Sequence, residues 1–218
     1  MKLSNRLNEI VKYINDNSTV IDVGCDHGLL DIYLTINKNC NCIATDISSE
    51  CINKTNNNIS TYGLQDKIKT IVSDGLSNVS YKDDDIIVIS GMGTSTIKHI
   101  VKPDMNNTFI IQSNNDYELL REYFISIGYI ISNESVVFDH NKFYITILFT
   151  KGNKEYSKDD LFLGPIMRYS KDSINYYEYL LDKYKKIKNN IPSYNEDEIN
   201  LLNYKIDIIE KTLDQLHK

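Results

Sequence analysis

The stretch Thr19-Val20-Ile21-Asp22-Val23-Gly24-Cys25-Asp26-His27-Gly28 decides how the rest of the chain is read. A β-branched apolar run stops in an acidic, glycine-containing turn, and an amphipathic segment opening at Leu29 follows it. That order describes a strand, a tight turn and a helix N-terminus. Gly24 and Gly28 lack a Cβ, so backbone approaches a ligand closely there, and the helix start offers unpaired N–H groups to an anionic group such as a carboxylate. The junction is therefore a seat for a nucleotide-like ligand. Its Gly-x-x-x-Gly spacing departs from the Gly-x-Gly-x-x-Gly of dinucleotide folds, which argues against hydride transfer.

Working outward, Leu3, Leu7, Ile10, Val11 and Ile14 recur at helical spacing behind a Ser4 or Asn5 cap. Downstream, Cys42-Ile43-Ala44-Thr45 is a short strand that ends at Asp46. A carboxylate there is placed to accept from ribose hydroxyls, and it equally suits capping the helix that opens at Ser48. A third strand over 68–72 ends in Ser73-Asp74-Gly75. Asp74 can accept from an exocyclic amine such as that of adenine, although Asp-Gly alone is a turn signal. Asp83-Asp84-Asp85 leads into Ile86-Ile87-Val88-Ile89, the unbroken apolar run of a buried parallel strand, expected to stop at Ser90-Gly91-Met92-Gly93-Thr94.

A fifth strand, Phe109-Ile110-Ile111, ends in Gln112-Ser113-Asn114-Asn115, and a helix over 118–127 is stopped by Gly128. Two β runs, 129–139 and 143–150, flank His140-Asn141-Lys142 as a hairpin. This alternation predicts an α/β fold: a seven-stranded mixed sheet with helices on both faces, its last strand inserted antiparallel. That arrangement resembles the Rossmann-like class I methyltransferases. Past Lys151 the pattern changes. Gly164-Pro165 lies in a connecting stretch, and two helical series follow, Ile174, Tyr177, Leu181, Tyr184, Ile191 and then Ile199, Leu202, Ile206, Ile209, Leu213, Leu216. Asn189 to Asn195, with Pro192, separates them, and Asn195 with Glu198 has capping-box spacing. The expected division is 1–152 as a ligand-binding domain and 153–218 as an antiparallel helical hairpin, a coiled coil whose stripes form a packing seam.

Composition narrows the class. Cys25, Cys40, Cys42 and Cys51 form no Cys-x-x-Cys pair and have no histidine in zinc spacing, so free thiols and no metal are expected. No apolar run approaches bilayer-spanning length and Met1-Lys2-Leu3-Ser4-Asn5-Arg6 precedes no hydrophobic signal core, so a cytoplasmic protein without a membrane partner is expected. A net charge of −6 argues against indiscriminate nucleic-acid binding. The acidic excess lies before residue 150, while Lys183, Lys185, Lys186 and Lys188 cluster in the balanced remainder, where a solvated helix face is the plain reading.

Gly24, Gly28, Asp46, Asp74 and Gly91, in that order at successive strand ends, resemble the motifs of S-adenosylmethionine-dependent methyltransferases. Leu3-Ser4-Asn5-Arg6-Leu7, Asp22-Val23-Gly24-Cys25-Asp26-His27, Ser90-Gly91-Met92-Gly93, Gln112-Ser113-Asn114 and Gly164-Pro165 before a helical hairpin narrow this. They resemble the bacterial tRNA (adenine-22-N1)-methyltransferases, the TrmK family, over essentially the whole chain. Leu29-Leu30-Asp31, Thr94 and Ser113 depart from that family's pattern.

The resemblance implies methyl transfer to N1 of an adenine in the D-arm region of tRNA. It implies S-adenosylmethionine as cofactor and tRNA as partner; the sequence itself does not fix the oligomeric state, for which a monomer is the expectation. It assigns Asp22, Gly24, Cys25, Asp26 and Gly28 to the methionine portion, Asp46 and Ile47 to the ribose, Asp74 and Gly75 to the adenine, with Gly91 at close backbone approach. Asp26, His27 and Asn114 become the candidates for catalytic work; turn stabilisation by the first two and helix capping by Asn114 are the plain alternatives. Arg6, Met92, Gly93 and the four clustered lysines become candidates for holding the RNA. The chain lacks an Asn/Asp-Pro-Pro-aromatic motif after the fourth strand, so a ring nitrogen is a better acceptor than an exocyclic amine. The rival readings are a methyltransferase of a small molecule or protein, and a cofactor-binding scaffold.

Overall fold

The computed structural model describes residues 1–192 and 194–218; Ser193, within the expected break between the last two helices, lies outside them. The chain divides into two compact units, Met1–Lys154 and Glu155–Lys218.

The first unit runs α1 (Asn5–Val11), β1 (Thr19–Val23), α2 (Leu29–Lys38), β2 (Asn41–Asp46), α3 (Ser49–Thr61), β3 (Ile68–Val72), β4 (Ile86–Met92), α4 (Thr94–Ile100), β5 (Thr108–Ser113), α5 (Tyr117–Ser126), β6 (Tyr129–Asp139) and β7 (Lys142–Lys151). The sheet order is β3-β2-β1-β4-β5-β7-β6. The first five strands are parallel, and β7 enters antiparallel between β5 and β6. The order reverses between β1 and β4, so the carboxyl ends of the parallel strands share one edge with a crevice at the switch point. This is the Rossmann-like sheet expected from the sequence.

The central strands are continuous apolar runs because both of their faces are covered. Val20, Ile21, Ile87, Val88, Ile89, Phe109, Ile110 and Ile111 are each 0% exposed. Burying each such side chain stabilises by about 1.5–3 kcal/mol. On one face Ile10, Ile14, Leu30, Ile32 and Leu34 join Val20, Ala44, Val88 and Ile110 in one cluster. On the other, Phe124 stacks on Phe149 with centroids 3.9 Å apart and meets Phe109 edge-on at 5.6 Å.

Two strands run further than expected. β4 continues through Ser90 and Gly91 to Met92, with a shift of register between Ser90 and Met92. Gly91 adopts φ +79°, so it bulges the strand instead of ending it. Its neighbour β5 correspondingly extends through Gln112 to Ser113.

The second unit opens with α6 (Lys158–Leu163), a helix not anticipated, started by a Ser157/Asp160 capping box and ended at Gly164. α7 (Ile174–Asn189) and α8 (Glu196–Leu216) then form the hairpin. Tyr177 and Leu180 are buried on α7, and Leu202, Ile208, Ile209, Leu213 and Leu216 on α8. Ile191 falls beyond α7. The expected Asn195 capping box does not close: the Asn195 amide donates to the Glu198 carboxylate at 2.6 Å and caps no backbone N–H. Among the described residues no helix is long and apolar enough to cross a membrane.

Candidate cofactor and acceptor site

The turn after β1 is built mainly from backbone. Gly24 N and Cys25 N both donate to Thr45 O, at 2.8 and 2.9 Å, tying the turn to the end of β2. Gly24, Asp26 and Gly28 take φ of +81°, +53° and +67°. A Cβ on Gly24 would stand 2.6 Å from Met92 Cε, and one on Gly28 the same distance from Thr55 Cγ2. The positive φ favours glycine at both positions, and at Gly28 the Thr55 methyl also leaves no room for a Cβ.

Helix α3 holds the turn from the other side. Thr55 Oγ1 donates to Asp26 O at 3.0 Å and the Asn58 amide to His27 O at 2.9 Å. The side chains of Asp26 and His27 are left outward, 70% and 48% exposed, with Oδ1 and Nε2 3.5 Å apart. It is their backbone carbonyls, not these side chains, that take the bonds from α3. Beneath the turn, Asp22 is 3% exposed and Oδ1 has no donor. Burial pushes its carboxyl up to about 7, and Asp26 and Asp46 add to the rise, while a hydrogen bond from Asp31 and the Arg6 guanidinium oppose it. Cys25 is a buried free thiol whose pKa burial raises.

Asp46, at the end of β2, accepts from Ser48 N at 2.8 Å. The cap of α3 is Ser48, whose hydroxyl accepts from Cys51 N, so the carboxylate turns the chain and does not cap. Ile47 beside it is 70% exposed. Ser73 N donates to Asp46 O at 2.9 Å, which sets the β3 end, with Asp74 exposed and Gly75 buried, next to that of β2. The Asp74 carbonyl closes its own turn by accepting from Ser77.

The ends of β4 and β5 are fastened together. Asn114 N donates to Met92 O at 2.9 Å, and the Asn114 amide to Gly91 O at 2.6 Å. Asn114 thus spans the two strand ends and caps no helix. Its neighbour Asn115 takes the capping role, accepting from Thr94 N at the start of α4 at 3.0 Å. A buried Thr94–Ser113 hydroxyl contact at 3.0 Å fixes Gly93 and the loop around it. Met92 reaches across to Gly24, so the β1 turn and the β4 loop meet directly. Arg6, on α1, donates its N–H to Asp139 at 3.1 Å and carries its guanidinium 5.9 Å from the Tyr144 ring.

Lys183, Lys185, Lys186 and Lys188 lie on α7 in the second unit. Lys185 pairs with Glu210 of α8 at 2.7 Å and Lys186 with Asp182 at 2.6 Å, so half of the cluster's charge is spent within the hairpin.

Sequence reasoning missed Thr55, Asn58 and Asn115, which hold the loops, and Asp31, which is fully buried against Asp22. Thr55 falls on the Cys51, Ile52, Ile59 stripe of α3, and Asp31 interrupts the apolar run from Leu29 to Ile32. Both were visible as polar residues on a buried face.

A Rossmann-like sheet with a glycine turn, three acidic strand ends and a Gly-Met-Gly loop on one edge defines a methyltransferase domain. The methyltransferase-domain family matches residues 3–147. The tRNA (adenine(22)-N(1))-methyltransferase of Bacillus subtilis is 26% identical over 80% of this chain and 78% of its own length. A putative tRNA methyltransferase of Mycoplasma genitalium is 31% identical over 76% of this chain and 79% of its own. Among solved structures, M. capricolum TrmK in complex with S-adenosyl-homocysteine superposes with a TM-score of 0.86 at 30% identity, over 99% of this chain and 100% of that one. The chain belongs to the methyltransferase-domain family and, within it, to the TrmK type.

Proposed function

We propose that the chain is a tRNA (adenine-22-N1)-methyltransferase that uses S-adenosylmethionine. The observation that carries this reading is the likeness over 99% of the chain to a TrmK bound to the cofactor product. The residues fit such a cofactor. Asp22 keeps a buried oxygen without a donor, and Gly24 and Gly28 let the backbone turn tightly at positive φ. Asp22, Gly24, Cys25, Asp26 and Gly28 hold the methionine portion; Asp46 and Ile47 face the ribose, Asp74 and Gly75 the adenine, and Gly91 gives close backbone approach.

When bound, the cofactor supplies an electrophilic methyl carbon, which N1 takes with its in-plane lone pair while the bonding electrons return to sulfur. No proton has to leave N1, so the protein's task is alignment rather than base catalysis. The methylated ring is cationic, and the acidic edge of the sheet favours that charge. Asp26 accepts from the adenine's amino group, His27 orients the base or meets a phosphate, and Asn114, anchored on Gly91 O, turns its carbonyl oxygen to the base. N1 lies on the Watson–Crick edge, so the adenosine must be unpaired or flipped out. Arg6, Met92 and Gly93 border the acceptor. The domain 153–218 docks the RNA through Lys183 and Lys188, the two lysines of the cluster without an ion pair among the described residues. A tRNA substrate implies work in the cytoplasm, with a monomer sufficient.

Incubation with labelled S-adenosylmethionine and unmodified tRNA, followed by nucleoside mass spectrometry, tests the reading. It expects 1-methyladenosine at one position; labelled small molecules or protein in place of tRNA would favour another acceptor.

A further inference from the structure

The β6–β7 hairpin carries aromatic side chains past the carboxyl edge of the sheet, the edge on which the candidate site lies. β7 runs antiparallel beside β5, with Phe109 opposite Phe149 and Ile111 opposite Ile147, so Lys142 to Tyr144 reach beyond the end of β5. Tyr117 clasps the two strands there: its hydroxyl donates to Ser113 O at 2.6 Å and accepts from Ile145 N at 3.3 Å, next to Asn114. Beyond the clasp Phe138 pairs with Phe143 and Asp139 with Lys142 around His140-Asn141, whose φ of +45° and +61° make a tight two-residue turn. Arg6 N donates to Asp139, and the Gln112 amide donates to Arg6 O at 3.2 Å, so α1 and β5 hold the tip in place. Phe138 is 52% exposed, yet its ring is set against Phe143 with centroids 4.9 Å apart. Cations surround it: Lys142 and His140 are exposed at the tip, and the Arg6 guanidinium lies at the Tyr144 ring. The Asp139 carboxylate is turned inward, only 9% exposed, and lies 3.1 Å from His140 Nδ1.

We propose that Phe138 stacks an unpaired base of the tRNA beside the adenosine that enters the crevice, while Lys142 and Arg6 meet the adjoining phosphates. The inference deepens the tRNA reading above and rests on it. A fixed, exposed ring flanked by cations suits a nucleotide: the π-face takes a base of any identity and the cations take the backbone. Exposing N1 for methylation unpairs the target adenosine, and a base next to it loses a stacking partner that the ring replaces. A chain with a net charge of −6 attracts RNA only where its cations gather, and the hairpin tip is such a place on the edge of the sheet. The tight turn and the clasp to α1 and β5 orient the ring before RNA arrives, so little ordering is left to be done on binding.

Binding of an unmodified tRNA transcript to variants at position 138 tests this. Phe138→Ala should weaken tRNA by about tenfold and raise KM for tRNA to match, with kcat at saturating tRNA and S-adenosyl-homocysteine affinity within about twofold of the wild type. Phe138→Leu stays apolar but has no π-face, so it should lose about as much. Phe138→Trp should keep the affinity, and it adds the sole indole to a chain without tryptophan, whose emission tRNA should quench. A blunt RNA duplex, with no unpaired base, should leave that emission unchanged. Wild-type tRNA affinity in Phe138→Ala or Phe138→Leu, or an indole that tRNA leaves unquenched, overturns the assignment. So does an equal loss of tRNA and S-adenosyl-homocysteine. If Phe138→Ala fails to fold, the quenching in Phe138→Trp decides alone. A wild type that binds no tRNA refutes the tRNA reading, and this inference with it.

Discussion

The Asp22→Asn substitution should make the unliganded protein more stable in alkali and leave it little changed in acid. The sign follows from the buried pair. Burial raises the Asp22 carboxyl from 3.8 to about 7, so the folded chain holds a proton that the unfolded chain releases. Stability is then full below the unfolded value and declines as pH rises towards the folded one. A rise of about 3 pKa units corresponds to at most about 4 kcal/mol at 1.36 kcal/mol per unit. Because the buried Asp31 contributes to the same decline, we expect about 2 kcal/mol of it to be removed in the variant. Urea unfolding of the two proteins at a series of pH values measures this. Parallel stability profiles, or a variant less stable in alkali than the wild type, would refute the reasoning.

Gly24→Ala places a Cβ 2.6 Å from Met92 Cε at φ +81°, so it should weaken cofactor affinity by more than about tenfold and lower stability by about 1 kcal/mol, read by calorimetry and denaturation. Thr55→Val removes the 3.0 Å bond to Asp26 O and should weaken the same ligand several-fold, about 1 kcal/mol, without altering tRNA affinity. Asp46→Ala should impair cofactor binding far more than tRNA binding. Replacing Lys183 and Lys188 with Gln should do the reverse and lower the salt dependence of tRNA binding by about 2 in slope, whereas the ion-paired Lys185 and Lys186 should matter less.

What was legible in the sequence was what local pattern decides. Apolar runs closed by glycine or aspartate marked β1 to β4, with β5 closed by Gln112 and Ser113, and brought Gly24, Asp46, Asp74 and Gly91 to one edge, because a parallel sheet with a switch point leaves them no other place. The hairpin was legible from its period. Features set by tertiary pairing were not. β4 passes Ser90 because β5 continues beside it, and a bulge at Gly91 permits this. Asp31 stands out as a polar residue within the apolar run from Leu29 to Ile32, but its neighbour Asp22 is brought beside it only by the fold. Lys185 looks free until Glu210, 25 positions later, returns alongside on α8. α6 has only 6 residues, too few to show a period, although its Ser157/Asp160 box was in plain view.

The most direct test is methyl transfer to an unmodified tRNA transcript whose position 22 is either adenosine or guanosine, with the product nucleoside identified by mass spectrometry. A tRNA (adenine-22-N1)-methyltransferase gives 1-methyladenosine on the first transcript and no transfer to the second. Equal transfer to both, or a methyl group on the exocyclic amine, would contradict that assignment.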